Sequence, residues 1–450
     1  MKKQTLNGFE GEACGISGLL CAISHIALCT LRVNFYPHAA CQVNDVLFSG
    51  IFTLPWWGPI VVALVLTHVT IAAVTIYLHR SQCHHALDLH PAPAHFLRFW
   101  LWLTTGMITR QWIAVHRKHH ANSDTADDPH SPQMVGIHRV LWGGMLLYSK
   151  EAKNAETIAR YGAGAPSDWM ERHVYSAHPG MGILLMPIVN SVLFGVLPGM
   201  LVYGIQMAWI PFFAAGVVNG VGHYFGYRSY ACNDASTNIV PWGILIGGEE
   251  LHNNHHAFVT SAKFSTHWYE LDIGWLYIRA LEICGLAKVR RVAPKPHCIP
   301  NKAACDLDTL QAVITHRYEV LMNYNRAVKS AHVEDLGSPH PHAHQNPQSG
   351  LRLPNWKMSW LQYQRALRRE GRLSARLNTL YFMGDELSAL WETRAATREE
   401  LLEKLQSWCQ RAETSAIAPL QRFARELRCY SSRPPREVPN FPRHKWPAIG

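Results

Sequence analysis

Residues 180–222 read GMGILLMPIVNSVLFGVLPGMLVYGIQMAWIPFFAAGVVNGVG, and they set the architecture of the chain. No Asp, Glu, Lys or Arg occurs between His173 and Tyr227. A break at Leu197-Pro198-Gly199 leaves two apolar halves, each long enough to cross about 30 Å of hydrocarbon at about 1.5 Å per helical residue. The stretch therefore predicts a transmembrane helical hairpin that returns the chain to the side it left.

A second uncharged run, from Gly58 to Leu78, is also of spanning length and leads directly into His79. The N-terminal residues allow three interpretations. Residues 14–33 could form an additional span or belong to a secretory signal, or the chain could start at an upstream codon, with the working protein beginning nearer Ile51. Two acidic residues, Glu10 and Glu12, and the lack of a clear A-x-A cleavage site argue against the signal.

The segment Phe96–Thr109 is too short to cross a bilayer and carries Arg98, which predicts a helix at the membrane interface. The residues on either side of this segment would then lie on the same side of the membrane. The hairpin returns the chain to that side as well. By the positive-inside rule that side is cytoplasmic. The loop that supports this orientation carries Arg110, Arg117, Lys118, Arg139, Lys150, Lys153, Arg160 and Arg172.

Three histidine clusters lie on this predicted cytoplasmic side: His79-x4-His84, His116-x2-His119-His120 and His252-x2-His255-His256. Histidines at i, i+3 and i+4 share one face of a helix, whereas a spacing of five fits a helix end. One metal ion takes about four to six ligands, so these eight histidines, with a ninth at His223, are about right for two ions. The clusters indicate a metalloenzyme rather than ordinary hydrogen-bonded or surface histidines.

Five carboxylates near the clusters are placed to accept hydrogen bonds from imidazole N–H groups, and such partners orient a metal ligand. The alternative for each is a solvated loop carboxylate. The five residues are Asp124, Asp127, Asp128, Glu249 and Glu250.

The cysteines exclude several kinds of metal site, and the charge is unevenly distributed along the chain. The eleven cysteines contain no C-x-x-C pair, which argues against a zinc ribbon, a rubredoxin-type centre and a disulfide framework. Most of the net charge of +10 lies near the C-terminus, where 18 Lys and Arg residues stand against 10 Asp and Glu residues from Leu351 onward.

The composition changes after Pro294. Residues 306–328 predict a helix, and Thr397-Arg-Glu-Glu400 predicts a capping box before another one. The tract His340-Pro-His-Ala-His344 is interpreted as a solvated linker, because Pro and Gly prevent a rigid metal site. The predicted organisation is an N-terminal extension (1–50), a membrane domain (51–296), a helical connection (297–331), a His- and Pro-rich linker (332–352), a basic helical region (353–430) and a disordered tail (431–450).

The histidine clusters, with the residues around them, resemble the three histidine boxes of membrane fatty acyl desaturases. Four further motifs narrow the resemblance to the acyl-CoA delta-9 (stearoyl-CoA type) desaturases, and it covers roughly Pro55 to Pro296. One departure lies at Glu250-Leu251, where eukaryotic relatives have Gly-Phe. The four motifs are Trp112-x3-His116, Asp127-Asp-Pro-His130, Asn219-x3-His223-x2-Gly226-Tyr-Arg228 and Gly247-Gly-Glu-Glu250.

The resemblance implies site residues by position. Asn219 would hold an iron through water, and Trp112 would line the acyl tunnel, with an ordinary core tryptophan as the alternative. His85 and His130 fall outside the ligand pattern and would neighbour the ligands or lie on the surface. The nine implied iron ligands are His79, His84, His116, His119, His120, His223, His252, His255 and His256.

The resemblance also implies an all-α integral membrane fold: a transmembrane helical bundle with a cytoplasmic histidine-rich di-iron cap and a C-terminal helical extension. It implies two iron ions, dioxygen as co-substrate and the formation of a cis double bond in a saturated acyl chain. The resemblance favours coenzyme A as the acyl carrier, and the sequence leaves an acyl carrier protein or a phospholipid as alternatives. Electrons would come from a separate ferredoxin or flavoprotein reductase supplied by NAD(P)H. The resemblance points to a bacterial inner membrane, with no nucleic-acid partner.

Three alternatives remain from the residues alone. A membrane hydroxylase or alkane monooxygenase also uses histidine-rich di-iron sites, but with differently spaced boxes. A metal transporter should place ionisable residues at mid-membrane, whereas these clusters lie at helix ends. A haem electron carrier would need a haem-binding segment, and Ala177-His178-Pro179-Gly180 lacks a surrounding globular domain.

Overall fold

The first long helix, α1 (Gly58–Ala73), begins with Pro59 in its first turn, where no helical N–H bond is lost. It continues as a π-helix from Val74 to Cys83. The combined helix, Gly58–Cys83, has 26 residues and is apolar enough to cross a membrane, as the sequence predicted. This computed structural model describes residues 47–300, 302–337, 375–392 and 396–433.

The π-helix explains the spacing of the first histidine pair. A π-helix closes hydrogen bonds between residues five apart. The N–H of His84 donates to the carbonyl of His79 at 3.1 Å, and the two ring centroids are 4.9 Å apart. The spacing of five predicted a helix end, and His84 does cap the helix. The pair also shares one face, which the prediction did not include.

A short strand, β1 (Leu87–Leu89), leads into α2 (Pro91–Thr105), and α3 (Thr109–Asn122) follows after a left-handed Gly106. The predicted interfacial segment therefore consists of the C-terminal part of α2 and the turn that leads into α3. Arg98 is buried and donates to Asp168 at 3.1 Å, so its charge is paired. The next helices are α4 (Pro132–Val135), α5 (Ile137–Glu151) and α6 (Ala155–Tyr161).

The predicted hairpin is formed by α7 (Pro179–Phe194) and α8 (Val196–Ile210). Its turn lies at Gly195, so the predicted break at Leu197-Pro198-Gly199 is wrong. Gly195 has φ 91° and ψ 160°, a region almost confined to glycine. Pro198 instead sits in the first turn of α8, where a missing N–H removes no helical bond.

The second arm of the hairpin continues beyond α8. It extends as a π-helix (Pro211–Val217), the short α9 (Val218–Gly220) and a 3-10 turn (Val221–His223). The continuous helix Val196–His223 has 28 residues and, like Gly58–Cys83, could cross a membrane, whereas α7 has 16 residues and falls short of that length. The described part of the chain is thus mostly helical, with two candidate spans.

We expect Gly195→Ala to lower the free energy of unfolding by about 1–3 kcal/mol. The added Cβ would lie 2.7 Å from the carbonyl carbon of Phe48, and alanine rarely adopts this φ. Thermal unfolding in detergent measures the change. Gly204→Ala is the matched control, because its Cβ would meet no heavy atom within 4 Å. Equal midpoints for both variants would argue against the turn at Gly195.

Short strands pair with one another on either side of the third histidine cluster. Strand β2 (Trp242–Gly243) runs parallel to β3 (Leu271–Asp272), and β1 runs antiparallel to β4 (Ala287–Val289). Between them lie α10 (His252–Ala257), which carries the cluster, and α11 (Ile273–Ile283). These pairings hold the chain before and after α10 close to the C-terminal end of the helix Gly58–Cys83.

The C-terminal part begins with β5 (His297–Cys298). The predicted helix at 306–328 is two helices, since α12 (Leu307–Thr315) ends at His316 and α13 (Arg317–Gly337) begins next to it. Helix α13 also runs through Gly337, so the predicted linker does not start at residue 332. The remaining elements are α14 (Ala375–Glu392), α15 (Arg398–Thr414), α16 (Ala418–Cys429) and β6 (Tyr430–Ser431).

The C-terminal helices share one hydrophobic core. Val313 and Tyr324 of the predicted connection pack in the same cluster as Leu387, Trp408 and Phe423 of the predicted basic region. The capping box at Thr397 and Glu400 is confirmed. Strand β6 pairs with β5, so residue 431, the predicted start of the tail, is a strand residue. The interpretations of residues 1–46, of 338–374 (with the tract 340–344) and of 434–450 lie outside the described residues.

Candidate metal centre

Four segments bring the nine predicted histidines together. The π-helix and its cap supply two of them, α3 supplies three, the 3-10 turn after α9 supplies one and α10 supplies three. Within each of two groups, the candidate nitrogen atoms lie within 4.8 Å of one another. The five-histidine group is His79, His84, His116, His120 and His255, and the four-histidine group is His119, His223, His252 and His256.

Two helices contribute to both groups. On α3, the i and i+4 residues His116 and His120 join the five-histidine group, while His119 joins the other. On α10 the i and i+4 residues, His252 and His256, join the four-histidine group, while His255 joins the five-histidine group. The sequence predicted that the histidines of the second cluster share one helical face, and likewise those of the third cluster. In the structure this face divides between two neighbouring sites.

The imidazole nitrogens face one another at short range. In the five-histidine group, Nε2 of His255 lies 3.0 Å from Nε2 of both His79 and His120. In the four-histidine group, Nε2 of His223 lies 3.0 Å from Nε2 of His252. Among the described residues, Nε2 of His119 and of His256 is buried without a hydrogen-bond partner. Convergent, unsatisfied nitrogens of this kind fit two metal ions of the class that imidazole binds, iron included.

Carboxylates hold four of the rings in one orientation; Glu249 and Asp128 are buried, whereas Asp124 and Asp234 are half-buried. Each accepts a hydrogen bond from Nδ1, which leaves the Nε2 lone pair directed into the group. The pairs are Glu249 with His79 at 2.7 Å, Asp128 with His119 at 3.0 Å, Asp124 with His223 at 2.8 Å and Asp234 with His256 at 2.8 Å.

Three of the five predicted carboxylates therefore contact a histidine. Asp127 is exposed on the loop instead. Glu250 is buried, but it accepts the backbone N–H groups of Ile246 and Gly248 and so stabilises the turn before α10. Asp234 was not predicted from the sequence, because it lies on an irregular loop with no fixed spacing from His256.

The buried environment keeps most of these rings uncharged. Burial, followed by the neighbouring imidazoles, lowers the pKa of His84, His116, His120, His252 and His255 well below its usual range. Burial also holds the pKa of His256 at about 4, although Asp234 opposes it. For His119, burial acts in the same direction, but Asp128 outweighs it and raises the pKa. The neutral form is the one that binds a metal.

A cavity of about 80 Å³ lies beside the five-histidine group. Trp112 lines it and stacks on His116, with 4.7 Å between the ring centroids. Asn219 also lines it and donates to the Ala215 carbonyl at 3.1 Å. The structure thus places both residues next to the cavity, and their roles remain predictions. Other lining residues include Ile71, Val74, Met107, Val115, Ile210 and Ala214.

The two histidines outside the ligand pattern differ in environment. His85 is exposed and contacts Arg117 at 3.3 Å. His130 is buried and stacks on His119, with 4.6 Å between ring centroids, so a surface position for it is wrong. The Asp127-Asp-Pro-His130 motif therefore places both a carboxylate and an aromatic ring against the same ligand candidate.

The sequence of this chain is similar to those of known fatty acid desaturases. The sn-1 stearoyl-lipid 9-desaturase of Anabaena variabilis is 29% identical over 243 residues, which are 53% of this chain and 86% of that protein. Delta-9 acyl-lipid desaturase 1 of Arabidopsis thaliana is 28% identical over 51% of this chain and 74% of its own length. An acyl-CoA 5-desaturase of Anemone leveillei is 30% identical over 51% of this chain and 73% of its own.

Two family models match different parts of the chain. A model described as a transposase matches residues 313–433, which is a similarity of the C-terminal helical unit alone. The model described as fatty acid desaturase matches residues 55–289, from the first candidate span to a point beyond the third histidine cluster. This second match covers more than half of the chain, and the protein belongs to the fatty acid desaturase family.

Proposed function

We propose that the protein is an oxygen-dependent fatty acyl desaturase that introduces a cis double bond at the delta-9 position of a saturated chain. Membership of the family already implies an oxidoreductase of lipid metabolism. The observation that carries the finer proposal is the convergence of nine histidines, in groups of five and four, beside a largely apolar cavity. Delta-9 relatives support the position of the double bond.

Different residues of the site have different proposed roles. The two histidine groups would hold two iron ions, which supply the activation of dioxygen needed to remove two hydrogens from an acyl chain. Trp112 and the aliphatic lining hold the apolar chain beside the five-histidine group and exclude water. Glu249, Asp128, Asp124 and Asp234 keep the imidazoles in the required tautomer.

The proposal also concerns the group that carries the acyl chain. The resemblance to stearoyl-CoA type desaturases favours a coenzyme A thioester. Relatives named for acyl-lipid and for acyl-CoA substrates both match this chain. Purified membranes supplied with radiolabelled stearoyl-CoA or with stearoyl-phospholipid separate the two, and rapid desaturation of the thioester is the expected result.

Expression in a host that lacks unsaturated fatty acids tests the activity itself. We expect monounsaturated fatty acids with a cis bond between C9 and C10, identified by gas chromatography and mass spectrometry. A His255→Ala variant expressed at the same level is the control and should yield none. Hydroxylated acyl chains would instead indicate a membrane hydroxylase, and an unchanged lipid profile would contradict an acyl-modifying enzyme.

We also propose that the two candidate spans and the shorter α7 cross a bacterial inner membrane and that the histidines face the cytoplasm. Reporter fusions check this orientation, because the hairpin places its turn opposite its two ends. A fusion after Arg172 and one after Arg228 should report the cytoplasmic side, whereas one after Gly195 should report the other side. The same side for all three positions would contradict a hairpin that crosses the membrane.

The C-terminal unit is proposed to assist membrane retention or docking of a separate electron donor. A truncation at Val328 would fall within α13 and its shared core, so the better place to cut is after Pro296. We expect the truncated protein to keep its iron content and to lose turnover several-fold with the native donor. An inactive point variant, His255→Ala, controls for background turnover. Loss of iron would place the C-terminal unit in the catalytic fold.

A further inference from the structure

A fully buried ion pair lies directly beside the five-histidine group. Arg80, the residue after His79, donates to Asp272 from Nη2 at 2.9 Å and from Nη1 at 3.1 Å. Both side chains have 0% exposure. Removing two charges from water is costly, and a buried ion pair is rarely better for stability than apolar residues of similar volume. The pair therefore calls for a role other than stability.

The Arg80 side chain joins the two loops on either side of α10. Its Nη2 donates to the Gly247 carbonyl at 3.1 Å, in the loop before the helix. Its Nη1 donates to the Ala262 carbonyl at 2.9 Å, in the loop after it. A Cβ at position 248 would lie 2.6 Å from Nη2, so the close approach requires the glycine found there.

The guanidinium also fixes one aromatic ring. It lies 3.8 Å from the ring centroid of Phe264, within the range of a cation–π contact. The backbone N–H of Phe264 donates to Asp272 at 2.7 Å, so both members of the ion pair hold this residue. Arg80, Asp272 and Phe264 together are called the Arg80 clamp below.

Both loops held by the clamp reach the candidate ligands. The loop of Gly247 presents Glu249, whose carboxylate accepts from Nδ1 of His79 at 2.7 Å. The Phe264 ring lies 5.5 Å from the ring of His79 and 4.7 Å from that of His255, between centroids. Both of these histidines belong to the five-histidine group.

We propose that the Arg80 clamp positions His79 and His255 and thereby sets the metal affinity of the five-histidine group, whereas Asp128, Asp124 and Asp234, which lie outside the clamp, orient rings of the four-histidine group. The inference rests on the proposed two-metal site. Its residues are positioning residues, because they touch ligands rather than the reacting atoms. Lysine cannot replace Arg80, since it lacks the planar fork that binds a carboxylate in two places and stacks on a ring.

The test compares Arg80→Lys and Phe264→Leu with native protein, each loaded with iron-57 in detergent. Arg290→Lys is the matched control, because Arg290 forms an exposed ion pair with Asp88. Iron per chain is measured against a series of chelator concentrations, and Mössbauer spectra report the two irons separately. The iron remaining in a His256→Ala variant, which keeps the five-histidine group, identifies the signal of that site.

For both clamp variants we expect one iron to be lost at about 10–100-fold lower chelator concentration, as for changes next to metal ligands elsewhere. The altered or missing signal should be that of the five-histidine site, with the other signal and the control unchanged. Native behaviour in both variants, or equal weakening of both sites, would overturn the inference. If Arg80→Lys does not fold, Phe264→Leu, which keeps the ion pair, decides the outcome. Native protein without two irons would instead contradict the proposed function.

Discussion

Replacing His120 or His255 with alanine is expected to lower desaturase turnover by at least about 100-fold, and the same holds for His119 and His256. Each belongs to one of the two histidine groups, so its loss would leave one ion with an incomplete set of nitrogen ligands. Changes to the partners of metal ligands already cost about 10–100-fold, and loss of a ligand itself should cost more. Turnover and iron per chain are measured on protein extracted from membranes.

The matched control for these variants is His85→Ala. His85 follows His84 in sequence but is exposed and outside both groups. We expect it to keep native turnover, and all the variants should insert into membranes at native levels. Near-native turnover with full iron content in any of the four ligand variants would show that the assignment of that histidine is wrong.

Replacing Asp128 or Asp234 with asparagine is expected to weaken binding of one iron by about 10–100-fold. Asparagine keeps the size of the side chain but removes the charge that favours an Nδ1–H donor on His119 and His256. Chelator competition followed by iron analysis measures the change. In both variants the weakened site should be that of the four-histidine group.

Asp127→Asn is the natural control for this second experiment. Asp127 neighbours Asp128 in sequence, yet it is exposed on the loop. Its replacement removes one negative charge at nearly the same place along the chain, and iron binding should remain native. Similar weakening in Asp127→Asn and Asp128→Asn would indicate a general charge effect rather than orientation of His119.

The sequence predicted the parts of this site that depend on regular spacing. Histidines at i, i+3 and i+4 had to share a helical face, and the uncharged runs had to form long apolar helices. Division of the nine histidines into two groups was not predictable, because it depends on how α3 and α10 approach each other. Asp234 could not be predicted for a related reason, since a loop without any periodic pattern brings it to His256.

Backbone geometry accounts for the remaining differences. The proline in Leu197-Pro198-Gly199 was the reason for predicting a break there. Proline is tolerated in the first turn of a helix, however. The turn lies at Gly195 instead, because glycine can adopt the positive φ that this turn requires. The π-helix after α1 was also not predicted, because its hydrogen-bond pattern has no simple sequence signature. It is this pattern that brings His84 over His79.

The four carboxylates that hold the imidazoles have a consequence for charge balance. Nine neutral imidazoles contribute no charge, so two divalent ions alone would leave four positive charges buried at the end of the spans. Glu249, Asp128, Asp124 and Asp234 supply four negative charges, each on the Nδ1 side of a ring whose Nε2 would bind an ion. An uncompensated buried charge is costly, so this balance would favour two irons in the ferrous state over the ferric state. The four carboxylates would thereby stabilise the reduced form of the proposed centre.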